Sequence, residues 1–195
     1  MRLVVGLGNP GERYSDTRHN VAWRVLDVLA GRWRARDQTV PGVYTASLAR
    51  VGGDEVELMK PLTFMNLSGE AVARWQREHQ GPPDDLLVVS DDVYLPVGTV
   101  RLRPRGSSGG HRGLESIEQA LGGREFARLR IGVGAAESGA GLREHVLEAF
   151  TDEERRAVDD AVMRAADAVQ CWLAEGITSA MNRFNRRQDE EARES

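Results

Sequence analysis

The stretch Leu86-Leu87-Val88-Val89-Ser90 sets apolar residues side by side with no polar alternation. Successive side chains of a β-strand point to opposite faces, so such a run marks a central strand buried on both. A strand of that kind needs a sheet with helices over each face. Residues 2–7 (RLVVGL) read as another apolar strand running into glycine. Helical spacing follows over 17–31, with Val21, Trp23, Val25, Leu26, Val28 and Leu29 apolar, Asp16 or Thr17 as N-cap and Gly31 as stop. Residues 43–50 and 55–60 read as strands around Gly52-Gly53, a hairpin signal. A helix from Asn66 or Ser68 to about His79 is broken by GPPDD. Residues 98–104 alternate as a strand with one solvated face; a helix is expected over 112–121 and a strand over 128–134. Helices over 140–149, 152–175 and 177–187 complete the chain, ahead of a charged tail, 188–195, expected to be disordered. No internal repeat or composition break divides it. The expectation is a single-domain α/β three-layer sandwich over 1–187: a twisted mixed β-sheet with helices on both faces.

Charge narrows the function classes. The net charge of −4 excludes a general polyelectrolyte binder, yet the basic residues are unevenly placed. Arg101, Arg103, Arg105, Arg112, Arg124, Arg128 and Arg130 cluster between 101 and 130, while acidic residues dominate from Glu137 to Asp160. A basic face on an acidic protein fits nucleic acid held on one side. Lys60 is the only lysine, and arginine-for-lysine usage also arises from codon bias. Cys171 is the only cysteine, which rules out an internal disulfide or a cysteine-based zinc site. No run of about 18 apolar residues exists, and the N-terminus reads as a strand rather than a signal peptide. A cytoplasmic protein without membrane contact is expected.

Gly6-Leu7-Gly8-Asn9-Pro10-Gly11 fits the dinucleotide fingerprint G-x-G-x-x-G. That fingerprint needs a helix starting inside it, so that the helix N-terminus meets the pyrophosphate. Pro10 instead pushes Asn9 out of helical dihedrals, ERYSD follows without periodicity, and the apolar stripe starts only at Val21. GRWRARDQTV is not the second strand, ending in an acidic residue, that a ribose requires. The match is a coincidence of glycines.

What remains is a long polar loop carrying Asn9, Tyr14, Asp16, Arg18, His19 and Asn20 at the carboxyl end of the first strand, where open α/β sheets bind ligands. Asn66, Asp91 and GSSGGHRG (106–113) sit at positions able to share that edge. His19 falls in the first turn of its helix, where the dipole disfavours imidazolium and leaves a ring able to accept a proton. Asp91 is suited to fix its tautomer, and Asn9 and Asn66 offer uncharged groups for a carbonyl or an oxyanion. Plainer readings fit the same residues: Asp91 bonding backbone amides in a turn, Asn66 as a helix N-cap, His111 packed in the glycine turn. His79 and His145 read as surface histidines without a role. There is no G-x-S-x-G elbow, no P-loop ending and no histidine–carboxylate cluster at metal spacing. The inventory allows metal-free hydrolysis by a base-activated water, with no cofactor.

GLGNPGERYSDTRHN, KPLTFMNLSGEAV, SDDVYLPVGTVRLRPRGSSGGHRGLESI and FARLRIGVG resemble the successive signatures of bacterial peptidyl-tRNA hydrolases, in the family's order, over about residues 1–187. The resemblance implies a monomeric enzyme that cleaves the ester between a nascent peptide and the 3′-terminal ribose of tRNA, recycling the tRNA. It implies catalytic roles for His19, which activates water, for Asp91, its partner, and for Asn9. It implies substrate contacts from Tyr14, Phe64, Met65, Asn66, His111 and Arg112, with Arg103 and Arg130 on the tRNA 5′ phosphate beside the acceptor stem. Residues of about 137–150 correspond to a lid. Two positions depart from the family's pattern: Arg112 stands where asparagine is usual, and Tyr94 where an acidic residue is frequent. An RNA-binding paralogue with altered or lost hydrolysis is the alternative that Arg112 keeps open.

Overall fold

The computed structural model describes residues 1–40, 42–81, 85–135 and 141–185. Its strands are β1 (Arg2–Gly6), β2 (Arg36–Val40), β3 (Tyr44–Val51), β4 (Asp54–Pro61), β5 (Asp85–Asp92), β6 (Val100–Arg103) and β7 (Ala127–Gly132). They form one seven-stranded sheet in the order β2-β3-β4-β1-β5-β7-β6. The centre is parallel, with β1 between β4 and β5, and β7 beside β5. The flanks are antiparallel, β2 and β3 on one side and β6 on the other. The helices are α1 (Val21–Trp33), α2 (Ser68–Glu78), α3 (Arg112–Leu121), α4 (Leu142–Val146) and α5 (Asp152–Phe184).

The unbroken apolar runs do what their lack of alternation demands. Val4 of β1 and Leu87 and Val89 of β5 pack in one core with Val25 and Leu26 of α1 and Ala165 and Val169 of α5. Their neighbours Leu3, Val5, Leu86 and Val88 pack in a second core with Val72 and Trp75 of α2 and Leu114 and Ile117 of α3. The result is the expected three-layer α/β sandwich around a mixed sheet. Loops at the carboxyl ends of β1 and β5 emerge side by side, because the two strands are parallel neighbours.

Some boundaries differ from expectation. The first helix is preceded by a separate 3-10 turn, Arg18–Asn20, and Gly31 does not stop it. It runs on to Trp33, and Arg34 in the left-handed region (φ 50°) ends it. A glycine inside a helix costs only about 1 kcal/mol, and packing of Trp33 on the core offsets that. RDQTV (36–40), not among the expected strands, is the edge strand β2, whose outer position tolerates a polar sequence. The two final helices are one element with a backbone break at Gly176 (φ 84°, ψ 173°). No helix among the described residues is long and apolar enough to cross a membrane. Residues 137–140 of the expected lid and the whole tail 188–195 lie outside the described residues.

Candidate active site

Gly6, which ends β1, and Gly8 just beyond it serve packing. A Cβ on Gly8 would stand 2.6 Å from the indole nitrogen of Trp23, and one on Gly6 would stand 2.9 Å from Leu26. Both side chains belong to α1, and Trp23 Nε1 donates to the Gly6 carbonyl at 3.0 Å. The glycines let α1 lean against the loop, although α1 begins only at Val21.

Asp91 shares the face of β5 that carries Leu87 and Val89, the face covered by α1. Its Oδ1 therefore meets the 3-10 turn ahead of that helix, where His19 Nδ1 lies 2.8 Å away. The same oxygen is reached by His111 Nε2 at 2.9 Å. The tautomers follow from the remaining ring nitrogen. His111 is the N-cap of α3, and its Nδ1 accepts from the backbone N–H groups of Gly113 (3.2 Å) and Leu114 (3.3 Å). A nitrogen that accepts carries no hydrogen, so neutral His111 holds its proton on Nε2 and donates it to Asp91. His19 likewise donates from Nδ1, which leaves a lone pair on Nε2 in the cleft. The Asp91 side chain is 1% exposed. Burial alone would push its carboxyl up; the two imidazoles outweigh that and hold it well below the usual carboxylate range.

The fold thus assembles a histidine–carboxylate cluster that spacing in the sequence did not reveal, with ligand atoms of His19, Asp91 and His111 within 4.8 Å of one another. The tautomer argues against a metal centre. While Nδ1 of His111 accepts from two amides, Nε2 must keep its hydrogen and has no lone pair for a cation.

Asn9 is buried and fully oriented. Its backbone N–H donates to Asn20 Oδ1 and its carbonyl accepts from Asn20 Nδ2, both at 2.9 Å. Its Oδ1 accepts from the Met65 N–H at 2.8 Å. That bond fixes the amide flip, so Nδ2 is left as the donor available to a ligand. Asn66 is exposed in the 3-10 turn Met65–Leu67 and lines the same cleft. It is not a cap: Leu67 holds that position for α2.

The cleft encloses about 640 Å³ and gathers Asn9, Tyr14, His19, Phe64, Met65, Asn66, Asp91, His111, Arg112 and Arg130. It therefore brings together every residue to which the family resemblance gives a role except Arg103, whereas Asp16, Arg18 and Asn20 of the polar loop are not in its lining. Met65 is buried, whereas Phe64 is half exposed at 54% and Tyr94 is exposed at 73%. Arg103 sits exposed on edge strand β6, opposite Arg128 and two register steps from the Arg101–Arg130 pair. Arg130 is itself anchored, by Asp92 Oδ2 at 3.3 Å and the Ser107 carbonyl at 2.7 Å.

The lining also includes Arg13, Asp92, Leu142 and Arg143, which were not singled out as site residues. The acidic doublet Asp91-Asp92 held the one available signal, since alternation sends its members to opposite faces, Asp91 to the histidines and Asp92 to Arg130. Asp16, named with the polar loop, is exposed and lies outside the cleft. His145 is not a surface residue as expected: it is 7% exposed, and its Nε2 lies 2.8 Å from the Gly134 carbonyl. The fold buries it by laying α4 against the 3-10 turn Arg18–Asn20 and the residues Val133 and Gly134 that follow β7. His79 stacks on Trp75, with 4.0 Å between ring centroids.

The site can be set beside known proteins. A family model described as peptidyl-tRNA hydrolase matches residues 3–192. The peptidyl-tRNA hydrolase of Geobacillus kaustophilus (strain HTA426) is 46% identical over 185 residues, 95% of this chain and all of that relative. That of Salinibacter ruber (strain DSM 13855 / M31) is 47% identical over 183 residues, covering 94% of this chain and 97% of the relative. Among solved structures, peptidyl-tRNA hydrolase from Acinetobacter baumannii superposes with a TM-score of 0.88 at 33% identity, over 95% of this chain and 94% of that one. With the sheet order, the cleft and these matches in agreement, the chain belongs to the peptidyl-tRNA hydrolase family.

Proposed function

We propose that this chain hydrolyses the ester linking a peptide to the 3′-terminal ribose of tRNA, through a water deprotonated by His19. The observation that carries this reading is the pair of N–H donors on Asp91, which leaves Nε2 of His19 as a lone-pair nitrogen facing the cleft. Water gives its proton to Nε2 as its oxygen attacks the ester carbonyl. Asp91, ionised and buried, stabilises the imidazolium that forms. The freed Nδ2 of Asn9 and the amide of Asn66 hold the peptide and the developing oxyanion. The tetrahedral species then expels the ribose 3′ oxygen, which takes the proton back from His19. A tRNA 3′ hydroxyl and a peptide carboxylic acid result, and the acid releases its remaining proton to water.

Tyr14, Phe64, Met65, His111 and Arg112 are the substrate-facing walls of this reading. Arg130 and Arg103 share one face of the sheet, and we assign them to the 5′ phosphate beside the acceptor stem. Specificity against free aminoacyl-tRNA comes from the cleft's uncharged amide groups, which suit a neutral peptide amide and not a charged amine. Residues 141–150, the described part of the expected lid, act as the lid in this scheme. The enzyme works as a monomer in the cytoplasm, where its substrate arises.

The test is release of tRNA from an N-acetylated aminoacyl-tRNA in metal-free buffer, with wild type beside His19→Ala. Turnover by wild type alone supports the assignment, with tRNA binding and the circular dichroism of the variant retained. Binding without turnover by wild type would instead support an RNA-binding protein.

A further inference from the structure

Arg18, the residue before His19, is charged yet its side chain is only 5% exposed. Nη1 and Nη2 donate to the two carboxylate oxygens of Glu154, at 2.9 and 2.7 Å. Nη1 also donates to the Val133 carbonyl at 3.0 Å, and the guanidinium lies 4.9 Å from the centre of the Phe150 ring. The backbone joins in. The Arg18 N–H donates to the Glu148 carbonyl at 2.9 Å, and Thr17 forms an antiparallel bridge with Ala149. One buried fork thus ties three pieces together: the turn that carries His19, the end of β7, and the segment entering α5.

Glu154 is fixed in its own right. It closes the capping box of α5, its Oε2 accepting from the Thr151 N–H at 2.8 Å while the Thr151 hydroxyl accepts from the Glu154 N–H at 3.4 Å. Burial works against its charge, and the bonds from Arg18 and Thr151 outweigh it, so its carboxyl stays below the usual range. The anchor for Arg18 is therefore the first turn of the longest helix in the fold.

A buried ion pair is often no more stabilising than apolar residues of the same volume, and what it adds is a unique geometry. Here that geometry falls on the residue adjoining the base. His19 meets Asp91 at 2.8 Å from a 3-10 turn of three residues, Arg18–Asn20, whose N-cap residue Thr17 makes no side-chain cap bond, so the turn is held by Arg18 at one end and by the bonds of Asn20 to Asn9 at the other. A shift of that turn by an ångström would break the contact. We infer that Arg18, held by Glu154, is a positioning residue that sets the reach of His19 toward Asp91. The inference rests on the assignment of His19 as the base.

The experiment compares wild type with the double variant Arg18→Met/Glu154→Leu, which removes both charges while keeping apolar bulk. The readouts are thermal unfolding, the kcat and KM for an N-acetylated aminoacyl-tRNA, and the proton NMR signals of the hydrogen-bonded ring N–H groups of His19 and His111. The expected result is a folded protein whose kcat falls by about 10- to 100-fold, the cost of a base misplaced by roughly 1 Å, with KM changed far less. The His19 signal should shift or vanish while that of His111 persists. A folded double variant with kcat within about twofold of wild type and both signals in place would overturn the inference and leave the pair a purely structural role. If the double variant does not fold, Glu154→Gln carries the same kinetic and NMR readouts, because it keeps the side chain's shape and loses only the charge. A wild type without turnover would sink the proposed function, yet the His19 signal would still decide whether Arg18 positions that ring.

Discussion

His111 commits one ring nitrogen to the start of α3 and the other to Asp91, 2.9 Å away. Asp91 is thereby gripped from two elements, and the orientation of the base depends on the start of α3, whose N-cap ring lies 5.3 Å, centre to centre, from the ring of His19. His111→Ala should lower kcat about 10-fold, within the range found when an outer partner of a site residue is removed. It should also cost about 1 kcal/mol of stability, because α3 loses its N-cap. Asp91→Asn should be far more damaging, about 10³- to 10⁴-fold in kcat, since an amide can favour the wrong tautomer of His19. Single-turnover kinetics with urea unfolding of each variant separate the two effects. An undiminished kcat in His111→Ala would show that His19 alone suffices to orient Asp91.

Arg103 has a different kind of job in the proposed reading. It is exposed at the edge of the sheet and lies outside the cleft, so its contribution should be electrostatic. Arg103→Ala is expected to weaken tRNA binding and to reduce the slope of log affinity against log salt by roughly one unit. Hydrolysis of a short substrate lacking the 5′ phosphate should be unaffected. Binding measured by filter retention at several salt concentrations checks this, and an unchanged slope would remove Arg103 from the phosphate contacts.

The layers were legible because consecutive apolar residues leave a strand no solvated face. Leu86–Val89 had to be central, and the helices had to cover both sides. The edge strand β2 was not, since Arg36, Asp37 and Gln38 carry no burial pattern when one side of a strand faces solvent. The site was half legible. His19, Asp91, Asn9 and Asn66 stood out as polar groups at strand ends. The double use of Asp91 did not, because His111 arrives through the turn of α3, and distance along the chain says nothing of that. Burial of His145 was invisible for the same reason: it depends on where α4 lies, not on its own short sequence.

Glu57 gives a prediction about pH. It lies on β4 against α2, its side chain 7% exposed, with His79 Nε2 at 3.7 Å. Burial pushes its carboxyl up, and Trp75 and His79 only partly oppose this. The folded protein therefore binds this proton more tightly than the unfolded chain does. Its ionisation destabilises the fold increasingly as pH rises from the unfolded value, about 4.3, through the raised one. Glu57→Gln, neutral throughout, should melt at a higher temperature than wild type at pH 7.5, and the advantage should vanish below about pH 4. A gain that persists unchanged at pH 4 would mean that packing, not charge, is responsible.

Arg112 is the first residue of α3, exposed and lining the cleft, and its side chain makes no hydrogen bond or ion pair among the described residues. Its guanidinium can donate but cannot accept, so it offers nothing to a peptide N–H. Asparagine at the same position would add an acceptor while removing one positive charge from the rim. Arg112→Asn should therefore lower KM for an N-acetylated aminoacyl-tRNA by about 2- to 10-fold, the worth of one neutral hydrogen bond. It should also make binding less sensitive to salt, because one phosphate-seeking cation is gone. The two effects oppose each other at low salt and separate as salt rises, so KM is best measured across a salt series. If affinity, salt slope and turnover all match wild type, Arg112 touches neither the peptide nor the tRNA, and its arginine is a neutral substitution.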